Sequence, residues 1–286
     1  MNQSNNKQIE EGLILFKEEK YDEAYAAFEA ASKEYESLDL PLYYMAAILT
    51  RRKEFDNALE LVKRAIERNY SNEKARNLKA FLLIKLDRMK EAKEAVKGNL
   101  SYDPNDYMSH KMSLYFYSGR YIETAWIDYM TLIKDVPEVC LDIARTYLEW
   151  GMYREARDSA ETAFDFDKYP MNHYYKGACE ILAEYYSIDD ALREFACAER
   201  CKPSDCHNLA PEDIKILKVA IENAANSAKA CYYLGLIYLD RKEYELAAEY
   251  FSKSIEQDST FAPAREKFEV ACQKKCLEKK DDSEEE

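Results

Sequence analysis

The sequence predicts an all-α solenoid of about seven helix-turn-helix units, and three observations carry that prediction. A small residue recurs at one place in a unit of roughly 34 residues: Ala24, Ala58, Ala92, Ala125, Ala156, Ala191 and Ala247. The first three stand 34 apart, and the later gaps are 33, 31, 35 and 56. Apolar side chains around each member keep helical spacings of three and four, which give a helix one buried stripe. Composition agrees: 47% of the 286 residues are apolar, and only 6 Gly and 7 Pro interrupt them.

The rest of each unit follows from that ladder. Tyr or Phe stands three residues before the small residue at Tyr21, Phe55, Tyr153 and Tyr244. Four residues after it come Phe28, Val62, Val96, Tyr129, Ala160, Phe195 and Phe251, and three further on Ala31, Ala65, Ala163, Ala198 and Ser254. Pro104, Pro137 and Pro203 close three units, as a residue without an N–H does at a helix end. Small residues let neighbouring helices approach, and the rings and aliphatic chains fill the space between them.

With Cys231-Tyr232-Tyr233-Leu234-Gly235-Leu236-Ile237-Tyr238 upstream of Ala247 and Phe251, this resembles the tetratricopeptide repeat. The Trp position of that pattern is never Trp here, and only the last unit carries Leu-Gly intact. The resemblance implies a right-handed solenoid whose first helices line a concave groove for a peptide or helix of a partner protein. A narrower stretch, from Ile214 to Phe261, looks like the repeat tract of large bacterial proteins whose other half resembles a sugar-mutarotase domain. It spans about a sixth of the chain, and the catalytic-looking half has no counterpart in this sequence.

The units fall at about 5–38, 39–72, 73–106, 106–139, 137–170, 172–205 and 228–261, in a single domain over 1–280. Units four and five overlap, which predicts a tightened turn near Pro137. The long gap leaves room for an additional helix at about 210–224, where Pro211, Glu212 and Asp213 are start signals for an amphipathic run. The pattern assigns that helix no face. A polar cap helix is expected at about 263–280, followed by a disordered acidic tail over 281–286.

The net charge of −14 argues against nucleic acid, which needs clustered Lys and Arg. The N-terminal Met1–Lys7 carries no apolar signal core, and no stretch approaches the length of a membrane span, so a cytoplasmic protein is expected. Eight cysteines without a secretory signal read as reduced thiols. Cys197, Cys201, Cys206 and His207 are four candidate zinc ligands, at a spacing that matches no usual zinc pattern. His110, His173 and His207 belong to no catalytic motif, and the acids read as a solvated face. The expectation is a non-enzymatic scaffold with no cofactor.

Carried over from the resemblance, the groove-facing places of the first helices select Tyr43, Asn77, Phe81, Tyr107, His110, Tyr117, Arg145 and Tyr232 as the peptide-binding set. Rings at such places supply rigid contact area at low entropy cost. A one-residue change of register would instead turn them inward. The carboxylate clamp by which some family members grip chaperone tails is missing: its places hold Ile9, Leu13, Tyr44, Lys74 and Leu78, of which only Lys74 fits. Two other readings stand beside groove binding: chaperone-like shielding of an apolar segment, and a zinc- or redox-responsive module on Cys197, Cys201, Cys206 and His207.

Overall fold

The computed structural model describes residues 7–284 except 119, 137, 164–167, 185–186, 204–205 and 207, with the side chains of 120 and 278–284 also set aside. Pro137 and His207 therefore lie outside the described residues. Those described form sixteen α-helices and one 3-10 turn, with no strand among them. No described helix is long and apolar enough to cross a membrane. Where the sequence predicts one uninterrupted domain, the chain divides into two compact units, Met1–Asp135 and Val136–Glu286.

The first unit holds α1 (Lys7–Lys17), α2 (Tyr21–Glu34), α3 (Leu40–Arg51), α4 (Phe55–Arg68), α5 (Glu73–Lys85), α6 (Met89–Tyr102), α7 (Tyr107–Ser113) and α8 (Arg120–Ile133). Each helix from α1 to α6 packs on the next, and α6 packs on α7. The second unit holds α9 (Val139–Glu149), α10 (Tyr153–Glu161), α11 (Pro170–Leu182), α12 (Ile188–Arg200), α13 (Asp213–Asn223), α14 (Ala228–Asp240), α15 (Tyr244–Gln257) and α16 (Ala262–Glu284). Here α9 to α12 pack in sequence, α13 packs on α11 and α14, and α15 packs on α14 and α16.

The small-residue ladder lies on the second helix of each pair. Ala24, Ala58, Ala92, Ala156, Ala191 and Ala247 are fully buried. Four residues on, Phe28, Val62, Ala160, Phe195 and Phe251 are fully buried too, and Val96 and Tyr129 nearly so. The tight turns within pairs repeat as well. Glu19, Lys53, Asp87, Gly151, Glu184 and Lys242 adopt left-handed φ of 52° to 71° just past a first helix. The next N–H, in Lys20, Glu54, Arg88, Met152 and Glu243, reaches back to the carbonyl of Leu15, Leu49, Leu83, Tyr147 and Tyr238 at 2.8–2.9 Å. This geometry satisfies carbonyls that the helix end would otherwise orphan.

Three places depart from the predicted pattern. Ala125 is only half-buried, because the fourth pair is degenerate. Where α1 and α14 carry Gly12 and Gly235, α7 carries Ser113, whose hydroxyl donates to the His110 carbonyl at 2.6 Å. Such back-bonding competes with the helical ladder. The helix stops there and tightens into a 3-10 turn over Leu114–Phe116.

The sixth pair is out of step with the ladder. Its first helix begins at Pro170, and five residues separate α11 from α12, against three between α14 and α15. Gly177 faces Phe195 as Gly235 faces Phe251, yet it lies 18 residues before its ring rather than 16. The sixth first helix is thus shifted by two residues, and its groove places move with it. The third departure is at the end. α16 continues through Asp281–Glu284, where the sequence predicts a disordered tail. No Gly or Pro follows Pro263, and Lys, Glu and Ser do not oppose helix strongly.

Candidate functional site

The first helices are closely surrounded, and this decides the fate of the expected groove set. From Pro41 to Thr50, every residue of α3 except Tyr44 is buried. Tyr43, 1% exposed, packs edge-on against Tyr44 with centroids 5.2 Å apart. Phe81 is fully buried, and Tyr232 is buried between Phe251 at 5.9 Å and Phe261 at 5.2 Å. These three are packing residues rather than groove anchors. An all-round apolar helix has no period that marks its open side.

Asn77 is also a core group. Its amide donates to Asp106 at 3.1 Å, and its carbonyl accepts from Asn99 at 3.0 Å and from the Ser109 hydroxyl at 2.9 Å. Asp106 caps α7 by accepting from the Ser109 N–H at 2.9 Å. The network joins α5, α6 and α7, and its closed hydrogen bonding meets the requirement for burying polar groups.

Arg145 has a structural partner of its own. Asp213, fully buried at the start of α13, accepts from Arg145 Nε at 2.9 Å and Nη2 at 2.7 Å. It also accepts from the Tyr175 hydroxyl at 2.7 Å and the Ala210 N–H at 2.8 Å. Although burial alone would lower it, the Arg145 pKa is raised by this carboxylate. The partners of α13 are thereby α9, α11 and α14, all first helices of their pairs. The additional helix thus engages Arg145, one of the expected groove residues.

The remaining three members lie on α7 and at the end of the 3-10 turn that follows it. Tyr107 and His110 are half-buried on α7, with His110 Nε2 2.8 Å from the Pro104 carbonyl oxygen. Tyr117 is 47% exposed. Beside it in the sequence stand residues that sequence reasoning missed: Tyr115, Tyr121, Ile122, Trp126 and Ile127, all 43–62% exposed. α8 buries Tyr129 and Ile133 and leaves Tyr121, Ile122, Trp126 and Ile127 exposed. The missed signal is excess: α8 carries more large apolar residues than one buried stripe can use. Glu123 and Asp128 are exposed on the same helix.

Among the described residues, the thiols and histidines form no comparable centre, and no three His, Cys, Asp or Glu side chains converge to hold a metal. Burial pushes the Cys206 and Cys179 thiols well up, away from thiolate character. His173 is buried, with Nδ1 2.7 Å from Glu194. Burial alone would lower its pKa, but hydrogen bonds with Cys201 and Glu194 raise it to about 9.

Tetratricopeptide-repeat family models match residues 9–73, which take in most of α1 to α4, and residues 228–261, which are α14 and α15. No curated protein matches the sequence. Similar solved structures include a tetratricopeptide repeat protein from Parabacteroides merdae, at 14% identity and a TM-score of 0.42, covering 95% of this chain and 100% of that one. PilW, a widely conserved type IV pilus biogenesis factor, is 18% identical at a TM-score of 0.42, with 95% and 100% covered. MamA from residue 41 to its end, of Desulfovibrio magneticus RS-1, is 13% identical at 0.37, with 71% and 98% covered. This chain therefore carries tetratricopeptide repeats at both ends, and the buried Ala ladder continues through the pairs between them.

Proposed function

We propose that this chain is a non-enzymatic interaction scaffold whose docking surface is α8 with the preceding 3-10 turn. The occupant is an amphipathic helix of a partner protein, apolar on one face and flanked by Lys or Arg. One observation carries the reading: six large apolar side chains between Tyr115 and Ile127 are 43–62% exposed. So many exposed large apolar groups within thirteen residues point to an interaction site, and Tyr and Trp are the residues that dominate binding energy at such sites. The flanking charge follows from exposed Glu123 and Asp128 and from the net charge of −14.

The test has two stages. Cross-linking from Tyr121 in native lysate identifies a partner segment, which is then made as a synthetic peptide and titrated. Wild type should bind it, more weakly as salt rises. Trp126→Ala/Ile127→Ala should lose roughly a thousandfold, the effect of removing two anchors worth about 2 kcal/mol each. Equal binding by both proteins refutes the placement. Peptides that bind regardless of basic flanks would replace it with chaperone-like shielding.

A further inference from the structure

The first unit contains a second concavity, away from α8. A cavity of about 500 Å³ runs between α4 and α6 with α5 as its floor. Lys63, Arg76, Lys79 and Lys90 line it, against Glu91 and Glu94, and Glu91 is already held by Arg88 through two bonds of 2.7 Å. Lys63 is bonded to Glu60 at 2.7 Å, whereas Lys79 and Lys90 make no ion pair among the described residues. In a chain of net charge −14, this is a local basic concentration.

Two independent features mark the cavity as more than a gap between helices. The first is Arg76, which is 3% exposed and interacts with the Glu73 carboxylate through charge, with no hydrogen bond between them. One Nη donates to the Tyr70 carbonyl at 2.7 Å, and the guanidinium lies 4.2 Å from the Tyr102 ring centre and 5.5 Å from that of Tyr70. Its Nε is buried with no hydrogen-bond partner. A buried guanidinium N–H left without an acceptor is costly, and an anion in the adjoining cavity offsets that cost.

The second is Gly98. Gly12, Gly177 and Gly235 each face a Phe ring so closely that a Cβ would lie 2.6–2.8 Å from it, so packing explains them. Around Gly98 there is nothing within 4 Å. A helix-interior glycine costs about 1 kcal/mol relative to alanine, and no neighbour demands this one. One repeat earlier the same place holds Arg64. The missing side chain keeps the cavity open.

We infer that this cavity is an anion-binding site, taking a phosphate or carboxylate head attached to an apolar or aromatic body. The basic side chains recognise the head. Ile66, Leu83 and the half-exposed Tyr70 ring supply apolar wall for the body. The volume lies in the range of small-ligand pockets and suits a free organic anion or one anionic side chain of a partner peptide.

Calorimetric titration of the full chain with phenyl phosphate, inorganic phosphate, and a phosphotyrosine peptide beside its unphosphorylated form tests the site. Phenyl phosphate should bind at least tenfold more tightly than inorganic phosphate, and more weakly as salt rises. Gly98→Leu, which fills the cavity from a helix-favouring side chain, should lose at least tenfold with helicity unchanged by circular dichroism. Lys79→Ala/Lys90→Ala should lose severalfold, and Trp126→Ala/Ile127→Ala nothing. Tighter binding of the phosphopeptide than of phenyl phosphate makes the anion protein-borne, and the reverse makes it a free small molecule; both support the site. No binding at millimolar ligand, or binding indifferent to Gly98→Leu, overturns it. Because Arg76→Ala could unfold the unit, the Gly98 variant decides the outcome.

Discussion

The same substitution at two glycines should move stability in opposite directions. In Gly235→Ala the added methyl would sit 2.6 and 2.7 Å from Cε1 and Cδ1 of Phe251. That ring is fully buried and tilted against Tyr232 at 5.9 Å, so it has no free space to retreat into. Relief requires α14 and α15 to separate, and overpacking of this kind costs about 1–3 kcal/mol. Gly→Ala in a helix returns about 1 kcal/mol, which leaves a net loss of about 1 kcal/mol, reaching about 2 at the upper end. Gly98→Ala meets nothing within 4 Å and should gain about 0.5–1 kcal/mol. Urea unfolding reads both effects through the two tryptophans, Trp126 on α8 and the fully buried Trp150 after α9, alongside circular dichroism. Two compact units need not melt together, so each midpoint is compared with its own wild-type transition. A Gly235→Ala midpoint at or above wild type, or a lowered Gly98→Ala midpoint, refutes the packing argument.

Two further perturbations test the second unit. Asp213→Ala strands the Arg145 guanidinium and the Tyr175 hydroxyl, and removing one partner of a buried pair costs about 3–5 kcal/mol. Hydrogen exchange should then show α13 unprotected while α14 and α15 stay protected; uniform protection would show that the pair does not hold the helix. His173 is held protonated up to about 9 in the folded chain, above the ordinary 6.5. Its contribution is therefore full below pH 6.5 and disappears as pH rises through about 9. Discounted for solvent around its partners, that is about 1–2 kcal/mol, and it should be absent from His173→Gln when urea midpoints at pH 6 and 9.5 are compared. An identical pH dependence in the variant sinks this assignment.

The helix pairs were legible because their packing is written as complementary sizes. Twelve residues before the ladder and four after it, the sequence pairs Gly12 with Phe28, Ala46 with Val62, Ala80 with Val96 and Gly235 with Phe251. Where the first member shrinks, the second grows, as dense packing demands. The sixth pair obeys the same rule through Gly177 and Phe195, but the two additional turn residues hide it from a count at fixed period. The groove was less legible. Tyr43, Asn77 and Phe81 satisfy the spacing of groove positions and are buried all the same, since neighbouring helices close over α3 and α5. Spacing identifies a face only when another face of the helix is polar, and α3 has none.

In the second unit one charged residue of the expected groove set is committed to a partner within the chain. Arg145 stands at a groove place, and in an open array its guanidinium would be available to a ligand carboxylate. Here Asp213 of the chain's own α13 fills that role, with both carboxylate oxygens accepting two bonds each. A buried ion pair is weak evidence for net stability, because desolvation offsets much of the attraction. Its effect is on uniqueness: the carboxylate must meet Arg145, Tyr175 and the Ala210 N–H together, which fixes the start of α13 against α9 and α11. The buried Ile216, Leu217 and Ala220 then continue the contact as an apolar stripe. A peptide competing for this side would have to supply both a carboxylate for Arg145 and an apolar face for that stripe's seat, while meeting an effective concentration that a tethered helix always exceeds. The proposed docking on α8, whose large apolar side chains are exposed, meets no such tethered competitor among the described residues.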